Sequence, residues 1–107
     1  MKKYIILIPI YNDRESLTKL IENINSEIKN VNSEISVIVI NDASSQQIID
    51  QYQNIENINS IEIINMKENR GHTRCIASGL KYIFEKKEFD YAIPMDGDGE
   101  DLSLIHI

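Results

Sequence analysis

Tyr4-Ile5-Ile6-Leu7-Ile8-Pro9-Ile10 is a near-continuous apolar run with no alternation, the pattern of a strand covered on both faces. Tyr11-Asn12-Asp13-Arg14-Glu15 follows, and either Asn12 or Asp13 can cap a helix. That helix is marked by Leu17, Leu20, Ile21, Ile24, Ile28 and Val31, which recur at three- and four-residue spacing. The same unit then repeats. Ile35 to Ile40 reads as a second buried strand, Asn41-Asp42-Ala43-Ser44-Ser45 as its turn, and Gln46 to Tyr52 as a short helix. Asn54 to Asn59 reads as a loop and Ile61 to Met66 as a third strand. A helix from about His72 to Lys86 carries Ile76, Leu80, Ile83 and Phe84 on one face, and Phe89 to Met95 is a fourth strand. Alternating strands and helices predict an α/β fold, an open and mainly parallel Rossmann-like sheet with flanking helices.

The chain has 107 residues, enough for one folding unit, with 42% hydrophobic and 26% charged residues, the balance of a globular protein. Eleven Lys and Arg against seventeen Asp and Glu give a net charge of −6, which opposes a phosphate-neutralising surface, so no nucleic-acid partner is expected. The single cysteine, Cys75, can form no internal disulfide and belongs to no cluster with zinc spacing. A reducing, cytoplasmic setting is the default expectation. Met1-Lys2-Lys3 and the apolar run after it resemble a signal peptide, but Pro9 interrupts the run and no small-residue cleavage site follows. No run approaches the ~20 apolar residues that span a bilayer.

The chemistry-bearing residues gather after strands. Asn12, Asp13, Asn41, Asp42, Ser44, Asn69, Arg70, Asp96 and Asp98 all follow predicted strands, and in parallel sheets one crevice at the carboxyl ends of the strands collects such turns. Taken singly, each is equally a turn or cap residue. Met95-Asp96-Gly97-Asp98-Gly99-Glu100-Asp101 places four carboxylates in six residues. Mg²⁺ and Mn²⁺ take oxygen ligands, and Mg²⁺ is commonly held by one or two carboxylates plus substrate phosphates. The stretch therefore reads either as a metal and phosphate site or as a solvated acidic turn. An EF-hand loop counted from Asp96 would need Gly and Glu where Asp101 and Ile107 stand. Neither a dinucleotide fingerprint nor a P-loop occurs. Arg70, His72 and Arg74 are the basic residues near this crevice, and Arg suits phosphate. Asp42 is placed to accept hydrogen bonds from a base or ribose.

On these residues the chain resembles the N-terminal half of family-2 glycosyltransferases, which have the GT-A nucleotide-sugar-binding fold. Ile8-Pro9-Ile10-Tyr11-Asn12-Asp13 is similar to the family's Pro-x-Tyr-Asn-Glu motif, with Asp13 in the place of Glu. Val39-Ile40-Asn41-Asp42-Ala43-Ser44 is similar to Val-Asp-Asp-Gly-Ser, whose second Asp contacts the nucleobase. Asn69-Arg70-Gly71, followed by Ala77 and Gly79, resembles the Asn-x-Gly segment. Met95-Asp96-Gly97-Asp98 matches Asp-x-Asp, which implies Asp96 near the donor and Asp98 on the metal.

The resemblance thus implies a donor site of Pro9, Tyr11, Asp13, Asp42, Asn69, Arg70, Gly71, Arg74 and Asp96, and a Mg²⁺ or Mn²⁺ ion on Asp98 and Asp96. It implies transfer from a nucleoside-diphosphate sugar, expected to be a UDP-sugar, to an unknown sugar, lipid or polysaccharide acceptor. Asn41 and Ala43 depart from the second motif, at its first Asp and its Gly, and Cys75 stands where the family often has a small residue, which implies a packed thiol rather than a nucleophile. Residues 1–101 are expected to be the donor-binding part of a larger domain, and residues 102–107 an atypical tail produced by truncation or a frame change. In the family the general base and most acceptor contacts come from the C-terminal half, so these residues alone are expected to be inactive, with any membrane association, at the inner face, arising through that missing part. A noncatalytic nucleotide-binding module and a nucleotidyltransferase are the competing readings. The latter usually carries a Gly-rich basic loop that Tyr11 to Glu15 does not resemble.

Overall fold

The computed structural model describes residues 1–45, 52 and 55–95. In chain order the elements are β1 (Lys2–Ile10), α1 (Arg14–Glu27), β2 (Ser33–Asn41), β3 (Ser60–Asn65), α2 (His72–Lys86) and β4 (Tyr91–Pro94). The four strands form one sheet in the order β3-β2-β1-β4, and every pairing is parallel. The expected α/β class and parallel sheet are therefore present. The helix expected over Gln46 to Tyr52 falls almost wholly outside the described residues.

β1 is central, and its two faces feed two separate cores. Ile6, Ile8 and Ile10 pack with Val37 and Val39 of β2 and with Leu17, Leu20, Ile21 and Ile24 of α1. Ile5 and Leu7 pack with Ile38, Ile40, Cys75 and Ile83 on the α2 side. The register Ile6↔Val37 and Leu7↔Ile38 keeps each face continuous across the strands. Burying a large aliphatic side chain contributes ~1.5–3 kcal/mol, so a strand apolar on both faces is the best place to join two layers.

From β1 the chain steps outward to β2 and β3, then returns through α2 to place β4 on the far side of β1. The two helices lie on opposite faces of the sheet. The reversal between β1 and β4 is a topological switch point, where turns at the carboxyl ends diverge and leave a crevice. Pro9 helps end this pairing. Leu7 O accepts from Met95 N–H at 2.8 Å, and the next β1 residue facing that way is Pro9, which has no N–H to extend the ladder.

Two boundaries differ from the sequence expectation. α1 stops at Glu27 rather than reaching Val31: Ile28 is its C-cap, and Lys29 N–H and Val31 N–H donate to carbonyls three residues back, Ser26 O at 3.4 Å and Ile28 O at 3.0 Å. Val31 still packs on the α1-side core, reached through this tightened turn rather than by helix. β4 spans four residues where seven were expected; Phe89 and Met95 pack as flanking core residues. The loop before β3 is fixed by a buried polar group: Asn25 of α1 accepts from Asn57 N–H at 2.7 Å, and its carbonyl accepts from Asn57 Nδ2 at 2.9 Å.

Candidate functional site

The polar turns expected to converge do so through hydrogen bonds linking the carboxyl ends of β1, β2 and β3 to the start of α2. At the end of β1, Asn12 adopts a left-handed backbone, φ 50°. Its N–H donates to Ser44 Oγ at 2.8 Å, while its Oδ1 accepts from Ser45 N–H at 2.7 Å and from Ser45 Oγ at 3.1 Å. The turns after β1 and β2 are thereby tied face to face.

Asn41, which departs from the family pattern, is buried and committed to this frame. Its Oδ1 accepts from Ser44 N–H at 3.1 Å, and its Nδ2 donates to Asn65 Oδ1 at 2.9 Å. Asn65 is its register partner on β3. A carboxylate at position 41 would set an oxygen against the Asn65 Oδ1 that now accepts from Asn41 Nδ2, so the amide at 41 and the amide at 65 are a matched pair.

Ala43 is the second left-handed residue, φ 59°. A Cβ in that region costs roughly 1–2 kcal/mol, which explains physically why glycine stands here in the Val-Asp-Asp-Gly-Ser pattern. Ala43→Gly is therefore expected to stabilise the protein by about 0.5 kcal/mol, the strain relief less the ~0.4–1 kcal/mol by which glycine loosens the unfolded chain. Urea unfolding would read it, and a lower midpoint at unchanged slope would contradict the strain argument.

Asp42 is 4% exposed and joins β1 to the start of α2. Its N–H donates to Ile10 O at 2.8 Å. Its Oδ1 accepts from Arg70 N–H at 2.7 Å and its Oδ2 from Gly71 N–H at 2.8 Å, while its carbonyl accepts from Asn69 Nδ2 at 3.3 Å. Gly71 reaches this geometry with φ 87° and supplies no side-chain cap to α2. Burial pushes the Asp42 carboxyl upward, but the two backbone N–H groups, the Cys75 thiol and the charge of His72 outweigh it and hold it below the ordinary carboxylate range. Burial, and then the same carboxylate, push the Cys75 thiol up to about 12. Cys75 is thus a packed thiol and no nucleophile, as its sequence context indicated.

The other expected residues sort by position. Asp13 is exposed and caps α1, its Oδ1 accepting from Ser16 N–H at 3.3 Å. Tyr11 stands out from the rim with 52% of its surface exposed. Pro9 lies inside the sheet. Arg70 and Arg74 line one open hollow of about 340 Å³ together with Met66, Ala77 and Ser78; the Arg70 guanidinium pairs with Glu68, a partner not foreseen from the sequence. Asp96 and Asp98 lie outside the described residues. Among the described residues no group of three or more His, Cys, Asp or Glu is placed to hold a metal ion. A second hollow of about 330 Å³ lies at the opposite, amino-terminal end of the strands. Four of its charged residues are paired with one another, Lys87 with Glu62 at 3.1 Å and Lys3 with Glu88 at 3.5 Å, whereas the polar rim lies at the carboxyl ends of the strands, where ligands of parallel sheets bind. No helix among the described residues is long and apolar enough to cross a membrane.

Comparison with known proteins gives the family and the fold. The family model described as Glycosyl transferase family 2 matches residues 5–103. The undecaprenyl-phosphate 4-deoxy-4-formamido-L-arabinose transferase of Proteus mirabilis (strain HI4320) is 31% identical over 101 residues, covering 92% of this chain and 29% of that protein. Among solved structures, S. aureus TarS superposes with a TM-score of 0.66 at 24% identity, over 92% of this chain and 17% of TarS. TarS 1-349 in complex with UDP-GlcNAc superposes with a TM-score of 0.61 at 22% identity, over 99% of this chain and 30% of that one. The structural matches share the fold. The chain spans less than a third of the length of each of these proteins.

Proposed function

The chain belongs to glycosyl transferase family 2, and from that membership we propose that it is the donor-binding part of an enzyme that transfers a sugar from a nucleoside-diphosphate sugar to an acceptor hydroxyl or phosphate. The observation that carries the reading is the rim itself, where Asn12, Asn41, Asp42, Asn69, Arg70 and Gly71 are bonded into one frame beside the switch point of the sheet. The donor we favour is a UDP-sugar, because TarS, which shares the fold, has been solved with UDP-GlcNAc. The name of the Proteus relative couples a sugar to undecaprenyl phosphate, so a lipid phosphate is the acceptor class to try first.

In such a transfer the leaving nucleoside diphosphate accumulates negative charge. The described rim offers Arg70 and Arg74 as side-chain cations on one hollow, in a chain of net charge −6. We therefore assign Mg²⁺ or Mn²⁺ to Asp96 and Asp98, whose ion would stabilise the departing diphosphate. We assign the general base to sequence outside these residues; loss of such a base typically costs ~10²–10⁴ in rate. Tyr11, Asp13 and Asn69 are the residues we expect to meet the donor alongside Arg70, Gly71 and Arg74, with Asp42 behind them in the frame and Pro9 acting from within β1. We place the reaction in the reducing cytoplasm, since Cys75 is the single cysteine.

Calorimetry of UDP binding to the full-length protein, with Mn²⁺ and then with EDTA, tests this reading. UDP is expected to bind at least about tenfold more tightly with the metal, or about 1.4 kcal/mol, and Asp98→Ala is expected to erase that difference. Absence of UDP binding would refute the donor assignment; binding indifferent to both metal and Asp98→Ala would refute the metal assignment.

A further inference from the structure

Asp42 spends its hydrogen-bonding groups within the protein itself. Its N–H holds β1 at Ile10, its carbonyl takes the Asn69 amide, and its two carboxylate oxygens take the consecutive N–H groups of Arg70 and Gly71. Three of these four bonds fall on a single turn, Asn69 to Gly71, which is otherwise exposed. Consecutive backbone N–H groups aimed at one centre make an anion-binding concavity, and here the anion is supplied by the chain.

We propose that Asp42 is a positioning residue: its carboxylate seats the Asn69–Gly71 turn, and so fixes where the Arg70 side chain and the first turn of α2 stand, before any donor arrives. Glycine at 71 fits this role, since φ 87° is a conformation L side chains rarely adopt and the turn needs it to aim two successive N–H groups at one carboxylate. Cys75 lies one helical turn further on, its N–H bonded to Gly71 O at 3.1 Å, so the seat continues directly into the helix. A residue acting only as a reader of the base would not need both oxygens satisfied by backbone in the free protein.

The inference rests on the donor-binding reading for only one of its measurements. Amide hydrogen exchange of the free chain is the first. In the wild type, Arg70 and Gly71 N–H are expected to exchange at least about tenfold more slowly than an unprotected turn. In Asp42→Asn, which turns one acceptor into a donor facing an N–H, that protection is expected to vanish while Ile6 and Val39 amides stay protected. Asp42→Glu, which keeps the charge, is expected to restore part of it. Unprotected Arg70 and Gly71 amides in the wild type would overturn the proposal even if Asp42→Asn does not fold. The second measurement compares UDP with CDP in the full-length protein. A common loss of affinity for both nucleotides in Asp42→Asn supports positioning, and where CDP binds neither protein the exchange result decides. A loss confined to UDP while CDP binding is unchanged or gained makes Asp42 a base reader and overturns it. If the wild type binds neither nucleotide, the donor reading fails and exchange alone decides.

Discussion

Gly79→Val is expected to destabilise the protein by about 3 kcal/mol, the upper part of the range for forcing extra methyl groups into a packed core. A Cβ on Gly79 would stand 2.6 and 2.9 Å from the two Leu7 methyls and 3.2 Å from Ile40 Cγ1. Leu7 is fully buried and Ile40 nearly so, so neither can swing aside into solvent. Against this, leaving glycine gains less than ~1 kcal/mol of helix propensity, and a β-branched residue recovers only part of that. The sharper form of the prediction is a double-mutant cycle. Leu7→Ala alone is expected to cost about 2–5 kcal/mol. In Leu7→Ala/Gly79→Val the valine enters the space leucine leaves, so the pair is expected to be roughly 2 kcal/mol more stable than the sum of the single changes, within the usual range for residues in contact. Urea unfolding of the four proteins measures it. Additive losses would mean that α2 does not rest on β1 through Gly79.

This contact shows what the sequence could and could not disclose. That β1 is buried on both faces is written in seven consecutive residues, because only one side chain in that run, Tyr4, carries a polar atom and none carries a charge. That α2 begins at His72 and ends at Lys86 follows from its apolar spacing, and both ends agree with the structure. Which helix covers which face is a different kind of fact. It depends on β4 pairing with β1 rather than with β3, a choice between distant segments that no local pattern encodes. The end of α1 was obscured for a similar reason: Val31 keeps helical spacing because it packs on the same core, although the chain reaches it by a turn.

The rim divides the same way. Asn, Asp and Ser after strands announce turns, and strand ends on one edge of a parallel sheet must meet, so the convergence of Asn12, Asn41, Asp42, Ser44 and Asn69 was legible. Their partners were not. The Asn41–Asn65 pair needs the register of β2 on β3, and the Arg70–Glu68 pair forms between residues that sequence spacing gave no reason to link. Asp42 is the clearest case. Its motif points outward to a ligand, whereas its geometry points inward to Arg70, Gly71 and Cys75.

That inward engagement makes acid the most direct probe of the rim. Asp42→Asn is expected to destabilise the protein by about 3 kcal/mol at pH 7, since two hydrogen bonds to a charged acceptor are each worth ~1.5–3 kcal/mol and one buried N–H is left facing another donor. The sign of the pH effect follows from the carboxyl being held below its ordinary range in the folded state. The unfolded chain then takes up the proton first, so the stability this group contributes is fully present above the unfolded value near 3.8 and is lost as pH falls towards and through the lower folded value. Glu62, also held low by Tyr82 and Lys87 after its own burial cost is overcome, acts in the same sense, so the wild type is expected to weaken below about pH 4 on both counts. Asp42→Asn removes one of the two. The gap between wild type and variant should therefore be constant from pH 7 to pH 5 and narrow below pH 4, measured by urea unfolding at each pH. A gap that stayed fixed down to pH 3 would mean that the loss came from shape rather than charge, and that the carboxylate is not what seats the turn.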